Sequence, residues 1–288
     1  MKILVLGGTR FFGIDMVNAL LENGHDVTLA IRGNTKAVFG SRVSYIFLDR
    51  HNEASVKAAL DGKYFDIIID KIAYCSNDVK YLLDAVCCER YIQMSSTAVY
   101  TDLTINTEEQ QFNPQTYMLR MIDREDDEYG EVKRQAECAA AQMYPDIKTT
   151  FVRYPIVLGK TDYTNRLRAY VENIIKEEPM YIDNMDSCMS FILCEEAGKF
   201  LAYLVDHDYE GAINGANDGA VSIREIVDYI CQRTGKQPIL SENGVAMPYN
   251  GMADYSINTN QAEKLGWQFT DIHTWLFELL NYYIADCV

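Results

Sequence analysis

A glycine-rich turn close to the N-terminus constrains the fold of this chain more than any other feature of its sequence. The turn Gly7-Gly8-Thr9-Arg10-Phe11-Phe12-Gly13 follows the short apolar run Lys2–Leu6. Apolar residues at helical spacing then cover Phe12–Glu22, and Asn23-Gly24 has the composition of a helix C-terminus. The sequence therefore predicts a buried strand, a tight turn and an amphipathic helix, the first unit of an alternating α/β structure.

The rest of the first half continues this alternation. Strands that alternate with helices form a doubly wound parallel sheet with right-handed crossovers and helices on both faces. Such a sheet binds ligands at the carboxyl ends of its strands. The predicted strands are His25–Ile31, Val43–Leu48, Phe65–Asp70 and Arg90–Met94, and the predicted helices between them are Glu53–Leu60 and Asp78–Val86.

The alternation stops at the polar segment Thr101–Glu128, which is long for a connection inside a compact domain and therefore a candidate functional segment. A helix over Tyr129–Met143 and a strand over Thr149–Val152 follow. We expect a first domain over 1–158, with residues near 187–206 packing back on it, and a smaller second domain over 159–288. Predicted helices of the second half are Leu167–Lys176, Ile223–Arg233 and Ile272–Ile284.

The charge balance weighs against a nucleic-acid surface. The chain has 26 Lys and Arg against 42 Asp and Glu, a net charge of −16, whereas affinity for DNA or RNA comes largely from neutralising phosphates with basic residues. No apolar segment is long enough to span a membrane, and the N-terminus has no signal-peptide cleavage site. The eight cysteines form no C-x-x-C pair. We therefore expect no metal site, reduced thiols and a cytoplasmic protein.

The position of the glycine turn favours a dinucleotide. Between a first strand and a first helix, the backbone can approach a diphosphate and the helix N-terminus can face it; a plain β–α turn is the alternative. An acid at the end of the second strand would accept the ribose 2′-hydroxyl of NAD, but this sequence has Ala30-Ile31-Arg32. Arg32 and Arg10 could hold a 2′-phosphate, so we expect NADP rather than NAD. Alternatively, Arg32 is a solvated loop residue.

A second group of residues suggests acid–base chemistry. Tyr129 and Lys133 lie at i and i+4 of a predicted helix, on one face. A phenol has a pKa near 10, and a nearby ammonium favours the phenolate. The hydroxyls of Ser95 and Ser96 follow the fifth strand, at the ligand side of the sheet.

Together, these motifs resemble the extended short-chain dehydrogenase/reductase superfamily, the branch of NAD(P)-dependent nucleotide-sugar epimerases, dehydratases and reductases. Further similarities are Arg153-Tyr-Pro-Ile-Val-Leu-Gly159, Ser190–Gly198, Gly211–Asn217 and Leu265-Gly266-Trp267. The resemblance runs over most of the chain. It implies a Rossmann-like sheet with a smaller C-terminal α/β substrate domain.

The resemblance also implies roles for individual residues. Tyr129 would be the general acid–base, Lys133 would lower its pKa and hold the nicotinamide ribose, and Ser96 would orient the substrate oxygen. Asp49 and Arg50 would flank the adenine. The full set of implied cofactor contacts is Gly7, Thr9, Arg10, Phe11, Phe12, Gly13, Arg32, Asp49, Arg50, Ile72, Ala73, Tyr74, Lys133 and Tyr154.

Two departures from the family pattern refine this expectation. Arg10 stands where the family has the second glycine of its turn, which is similar to a divergent branch that includes chloroplast stem-loop-binding proteins. In that branch catalysis can be lost, so a non-catalytic NAD(P)- or RNA-binding protein is the alternative to an enzyme. Thr97-Ala98 replace the Asp-Glu pair of the sugar dehydratases, which disfavours a 4,6-dehydratase.

The expected partner is a small molecule, a nucleotide-sugar alcohol, that is oxidised, reduced or epimerised. Tyr163, Asn165 and Arg168 are candidate substrate contacts in the second domain. The helices Asn77–Val86 and Tyr129–Met143 resemble those through which the family forms dimers, and this resemblance favours a homodimer. The alanines of the second helix could equally belong to ordinary core packing.

Overall fold

The computed structural model describes residues 1–33 and 38–287. Its strands are β1 (Lys2–Leu6), β2 (Asp26–Ile31), β3 (Ser44–Phe47), β4 (Lys63–Asp70), β5 (Val86–Ser96), β6 (Lys148–Tyr154), β7 (Ile156–Leu158), β8 (Met180–Tyr181), β9 (Cys188–Met189), β10 (Phe191–Leu193), β11 (Gly211–Asn214), β12 (Val221–Ser222) and β13 (Val245–Ala246). Its α-helices are α1 (Phe12–Glu22), α2 (Glu53–Leu60), α3 (Ser76–Leu83), α4 (Tyr129–Met143), α5 (Arg166–Lys176), α6 (Cys194–Asp206), α7 (Ile223–Thr234), α8 (Asn260–Lys264) and α9 (Leu276–Cys287).

The central sheet confirms the predicted fold class. Seven strands lie in the order β3-β2-β1-β4-β5-β6-β11, and all of their pairings are parallel. The order reverses beside β1, whose last residue, Leu6, pairs with Ala30 on one side and Asp70 on the other. A reversal of strand order opens a crevice at the carboxyl edge of the sheet. The glycine turn begins at this crevice.

The predicted boundary between α3 and β5 is wrong. The apolar spacing predicts a helix as far as Val86, but α3 ends at Leu83 and β5 begins at Val86, which pairs with Lys63 of β4. Pairing with β4 and β6 extends β5 to eleven residues. A buried strand between two neighbours thus overrides the local helical pattern.

Alternating side chains of the strands form a core on each face of the sheet. Ile3 and Val5 pack with α1 and α6 on one face, whereas Leu4 and Leu6 pack with α2, α3 and α4 on the other. The backbones of α1 and α6 come close together, because a Cβ at Gly198 would lie 2.5 Å from the Phe12 carbonyl oxygen. The helix α6 therefore belongs to the core of the sheet, although it comes late in the chain.

A separate core forms from α5, α7 and α9, with Leu167, Ile226 and Leu280 fully buried in it. These helices lie outside the two cores of the central sheet. The domain boundary at residue 158 stays a prediction, as does the assignment of residues 187–206 to the first domain. Among the helices of residues 1–33 and 38–287, none combines the length and apolar character needed to cross a membrane.

Part of the long polar segment lies along α3 and α4. In α4, Gln135 Nε2 donates to the Met118 carbonyl (3.0 Å), and Gln135 Oε1 accepts from the Arg120 N–H (2.6 Å). In α3, the Ser76 hydroxyl donates to the Arg120 carbonyl (2.9 Å) and accepts from the Ile122 N–H (2.8 Å). Gln135 and Ser76 are fully buried. The chain's own segment thus covers part of the surface of the two helices that the family resemblance assigns to dimerisation.

Candidate active site

A cavity of about 1010 Å³ opens at the carboxyl edge of the central sheet. Its lining includes residues at the ends of β1, β2, β4 and β5. Residues from the second half of the chain also line it: Asp162, Tyr163, Thr164, Arg166, Pro248, Tyr249, Asn250, Met252 and Tyr255. Twelve of the predicted site residues line it: Gly7, Thr9, Arg10, Phe11, Phe12, Arg32, Arg50, Ile72, Tyr74, Ser96, Tyr129 and Tyr154. Gly13, Asp49, Ala73 and Lys133 are not in the lining.

The glycine turn has the close backbone packing that the sequence predicts. Gly7 has a φ of +87°, a conformation that favours glycine. A Cβ at Gly13 would lie 2.3 Å from the Gly7 carbonyl oxygen, so any side chain there would push α1 away from β1. The turn therefore places the N-terminus of α1 at the cavity.

Among the charged side chains that line the cavity, basic ones outnumber acidic ones. Its lining contains one carboxylate, Asp162, within the part of the chain that the structure describes. Asp162 is buried, and its Oδ2 atom has no hydrogen-bond partner there. The Lys and Arg residues of the lining are Arg10, Arg32, Arg50, Lys71, Arg124 and Arg166. In a chain of net charge −16, this cavity is a locally positive site that suits an anionic ligand.

The guanidinium of Arg50 is held in a buried network. Its Nη1 donates to Asp70 Oδ1 at 2.6 Å, its Nη2 donates to the Asp78 carbonyl at 3.0 Å, and Nε lies 3.2 Å from Asp78 Oδ1. All three side chains are nearly inaccessible to solvent. The predicted neighbour Asp49 is exposed, and its carboxylate accepts the His51 N–H. That these two residues flank an adenine stays a prediction.

Lys133 lies behind the cavity wall and is fully buried. Its Nζ donates to the carbonyl oxygens of Ala73 (2.6 Å) and Met94 (2.8 Å). It also lies 5.4 Å from the centre of the Tyr74 ring. Burial lowers the pKa of Lys133 to about 8, and the carboxylates of the Arg50 network oppose that shift. An ammonium has three donors, and these two hydrogen bonds use two of them.

Tyr129 reaches the cavity from the first turn of α4. Gly130 allows this approach, because a Cβ there would lie 2.6 Å from the Ala98 carbonyl oxygen. The helix N-terminus therefore packs directly against the end of β5, where Ser96 lies. Tyr129 is 48% exposed, and its ring contacts that of Tyr74 edge-on at 6.4 Å.

Opposing effects act on the Tyr129 phenol. Its pKa is raised, because desolvation by the surrounding protein outweighs the hydrogen bond with the Ser96 hydroxyl and the charges of Arg166 and Arg124, which lower the pKa. The Lys133 ammonium donates to the backbone carbonyls of Ala73 and Met94. Its predicted effect on the pKa of Tyr129 therefore stays a prediction. The structure thus places Ser96 and Tyr129 in the lining of the cavity and Lys133 behind its wall.

A comparison of the sequence with protein families shows what these residues belong to. Residues 3–216 match the model of the NAD dependent epimerase/dehydratase family. The chain belongs to the NAD-dependent epimerase/dehydratase family. A curated relative, the chloroplast stem-loop binding protein of 41 kDa b of Arabidopsis thaliana, is 32% identical over 131 residues. That match covers 40% of this chain and 35% of the relative, so the chain matches about a third of the relative's length.

Solved structures of epimerases have the same fold as this family member. The UDP-glucose 4-epimerase of Thermus thermophilus, in complex with NAD, has a TM-score of 0.74 at 16% identity and covers both chains completely. The UDP-glucuronic acid 4-epimerase of Bacillus cereus, also with NAD, has a TM-score of 0.74 at 18% identity over 99% of this chain and 97% of that one. At such low identity, the likeness is one of fold.

Several cavity residues were missed at the level of sequence. Lys71 follows directly on an apolar strand, and Arg124 lies in the long polar segment, so neither matches a known motif. Its position at the carboxyl end of β4 could have indicated Lys71, because that edge of the sheet binds ligands. Of the predicted second-domain contacts, Tyr163 lines the cavity. Arg168 does not, since it pairs with Glu172 and Asp286 outside the cavity.

Two further features of the described residues bear on the site. All eight cysteines are free. Within residues 1–33 and 38–287, no group of three or more His, Cys, Asp or Glu side chains is arranged to hold a metal ion. Asn165, the remaining predicted second-domain contact, is not in the cavity lining but precedes α5, with a φ of 54°.

Proposed function

We propose that the chain is an NAD(P)-dependent epimerase or oxidoreductase that acts on a sugar-like alcohol, a nucleotide sugar, through Ser96, Tyr129 and Lys133. The observation that carries this proposal is that Ser96 and Tyr129 line the same cavity as the glycine turn, with Lys133 buried directly behind its wall. The solved epimerases that share the fold have NAD, and that of Thermotoga maritima has UDP-glucose, in their described complexes.

The residues of the cavity fit a nicotinamide dinucleotide. The Gly7–Gly13 turn leaves no room for side chains on its inner face, and the lining provides anion-binding cations. When bound, the cofactor supplies the acceptor for the hydride of the substrate alcohol. Gly7, Thr9 and Phe12 would hold its diphosphate from the turn, and Arg10 and Arg32 would hold a 2′-phosphate.

The side chains of this family member would divide the proton chemistry between them. Tyr129 takes the proton of the substrate hydroxyl in oxidation and returns it in reduction. Ser96 lies within hydrogen-bonding reach of that phenol and would orient the substrate oxygen. Arg124 and Arg166 favour the phenolate form of Tyr129. Lys133, held by Ala73 and Met94, would offer its third N–H to a ribose hydroxyl.

Water elimination is not part of the proposal. The dehydratase branch has an acid pair just after the catalytic hydroxyl, whereas Thr97 and Ala98 line this cavity. Neither side chain can serve as an acid or base at neutral pH. This leaves epimerisation, oxidation or reduction of the alcohol as the proposed reaction.

The proposal is tested by the Tyr129→Phe variant. We expect it to lose turnover by about 10²- to 10⁴-fold, since a general acid–base contributes that much, and to keep cofactor affinity within about 2-fold. A thermal-shift screen with NAD, NADP, UDP-sugars and dTDP-sugars selects the ligands, and single-turnover reduction of the cofactor, followed at 340 nm, measures the chemistry. The control is Tyr282→Phe, an exposed tyrosine outside the cavity.

Two outcomes of that experiment contradict parts of the proposal. Unchanged turnover in Tyr129→Phe would remove the assigned role of this residue. A greater thermal shift with NAD than with NADP would contradict the role of Arg32 in binding a 2′-phosphate. In the same screen, Arg32→Ala should reduce the thermal shift with NADP and leave the shift with NAD unchanged.

The second candidate function is RNA binding without catalysis. It is favoured by the 32% identity with a relative named for stem-loop binding and opposed by the net charge of −16. Filter binding of total RNA at low and high salt distinguishes the two, since contacts to phosphates weaken steeply with salt. We propose a cytoplasmic location for the enzyme, on the basis of its free cysteines.

A further inference from the structure

Lys71 is a cation of the cavity to which neither the sequence motifs nor the proposed chemistry assigns a role. It follows β4 directly, and its backbone N–H donates to the Leu6 carbonyl (3.1 Å). This bond joins the ends of β1 and β4 at the switch in strand order. Lys71 therefore starts from a fixed position at the base of the glycine turn.

The side chain of Lys71 runs along this turn. A Cβ placed on Gly7 would lie 3.2 Å from the Cβ of Lys71. The Lys71 Nζ lies 4.0 Å from the centre of the Phe12 ring. Phe12 is the first residue of α1. The ammonium thus faces the N-terminal turn of the helix from the side of β4.

The surroundings of Lys71 contain no compensating anion within the described residues. Burial lowers the pKa of Lys71 to about 8, and no carboxylate acts against this shift. The one carboxylate of the lining, Asp162, accepts hydrogen bonds from Thr164. A half-buried ammonium without an anion is costly, and a bound anion would remove that cost.

We propose that Lys71 binds the diphosphate of the dinucleotide, from the strand side of the glycine turn. The inference rests on the proposed function. Two phosphates are the anions that a dinucleotide brings to the N-terminus of the first helix, and Lys71 is a point charge at that location.

Lys71 also compensates for a departure in the turn itself. The second glycine of the family pattern lets the backbone approach the diphosphate, and this chain has Arg10 at that position. Arg10 is exposed, which suits the outer 2′-phosphate end of the cavity. Lys71 would therefore replace, with a charge from β4, the contact that the missing glycine provides elsewhere.

The test measures the affinity of Lys71→Met and Lys71→Arg for NAD and for ADP-ribose by isothermal titration calorimetry. ADP-ribose keeps the diphosphate and lacks the nicotinamide. We expect Lys71→Met to weaken both ligands by about 10- to 100-fold, the usual effect of losing a hydrogen bond to a charged group. Lys71→Arg should stay within about 3-fold. Lys63→Met, an exposed position at the other end of β4, is the matched control and should not change affinity.

Structural damage is separated from lost binding by the melting temperature of the ligand-free variants. Because Lys71 carries an uncompensated charge, Lys71→Met should melt no lower than the unchanged chain. If that variant does not fold, Lys71→Gln takes its place in the same titrations. A structural role would lower the melting temperature of both Lys71→Met and Lys71→Arg by more than about 5 °C and would abolish affinity in Lys71→Arg as well. That result would overturn the inference.

The remaining outcomes are equally decisive. Affinities that are unchanged in Lys71→Met overturn the inference and leave the proposed function standing. A loss for NAD without a loss for ADP-ribose places Lys71 at the nicotinamide and also overturns it. If the unchanged chain binds none of NAD, NADP and ADP-ribose, the proposed function fails and the inference fails with it.

Discussion

Replacing Arg153 tests how the segment after Ser96 is held. The side chain of Arg153 is inaccessible to solvent, as is its partner Glu137. Its Nε and Nη2 donate to the two carboxylate oxygens of Glu137 at 3.0 and 2.6 Å. The remaining donors bind the Tyr100 hydroxyl (3.2 Å), the Glu109 carbonyl (2.8 Å) and the Phe112 carbonyl (3.1 Å). One guanidinium thus joins β6, α4 and the chain that leaves β5.

The expected cost of Arg153→Met is large. Removing one partner of a buried ion pair leaves the other charge uncompensated, which costs about 3–5 kcal/mol. In a chain of this size, each kcal/mol lowers the melting temperature by about 2–4 °C, so we expect a fall of roughly 6–20 °C. The double variant Arg153→Met/Glu137→Met removes the stranded carboxylate and should recover part of this loss.

Urea unfolding and differential scanning calorimetry of the ligand-free chain measure these effects. The control is Arg168→Met, whose pairs with Glu172 and Asp286 are partly exposed to solvent and should contribute about 1 kcal/mol or less. A loss below about 1 kcal/mol for Arg153→Met would refute the reasoning. So would a double variant as unstable as the sum of the two single ones, because no coupling would then exist.

Two further predictions concern the cavity and the face of α3 and α4. The charge of Arg124 lowers the pKa of Tyr129, so Arg124→Gln should raise that pKa. The pH at which kcat/KM for alcohol oxidation rises should then be higher, and an unchanged pH profile would contradict the assigned effect. Because residues 114–122 lie on α3 and α4, we expect a monomer in size-exclusion chromatography with light scattering, and a dimer that crosslinks between these helices would contradict that expectation.

The sequence predicted the parts of the site that depend on local patterns. The glycine turn and the Tyr129–Lys133 spacing each lie within a few residues, and turn geometry and helical periodicity place them without knowledge of distant contacts. The order of strands and helices determined the fold in the same way. The position of Ser96 at the ligand edge followed from that order.

The features of the site that the sequence does not indicate depend on contacts between distant parts of the chain. Arg50 itself is predicted as a cofactor contact, but its network with Asp70 and Asp78, 20 and 28 residues away, is not, because no local pattern indicates it. Lys71 reads as the end of a buried strand. It becomes a cavity residue because β4 lies beside β1 at the switch in strand order. The tertiary fold therefore decides which cations face a ligand.

The distribution of charge explains why a small anion and a long polyanion would interact differently with this chain. Acidic residues outnumber basic ones by sixteen overall, whereas the cavity lining, among the residues that the structure describes, has six Lys and Arg side chains and one carboxylate. A recessed site of one sign can concentrate a small ligand of the opposite sign. RNA would have to neutralise many phosphates along an extended surface, which this cavity does not provide. The same arrangement of charge that favours a dinucleotide therefore argues against an extended nucleic acid.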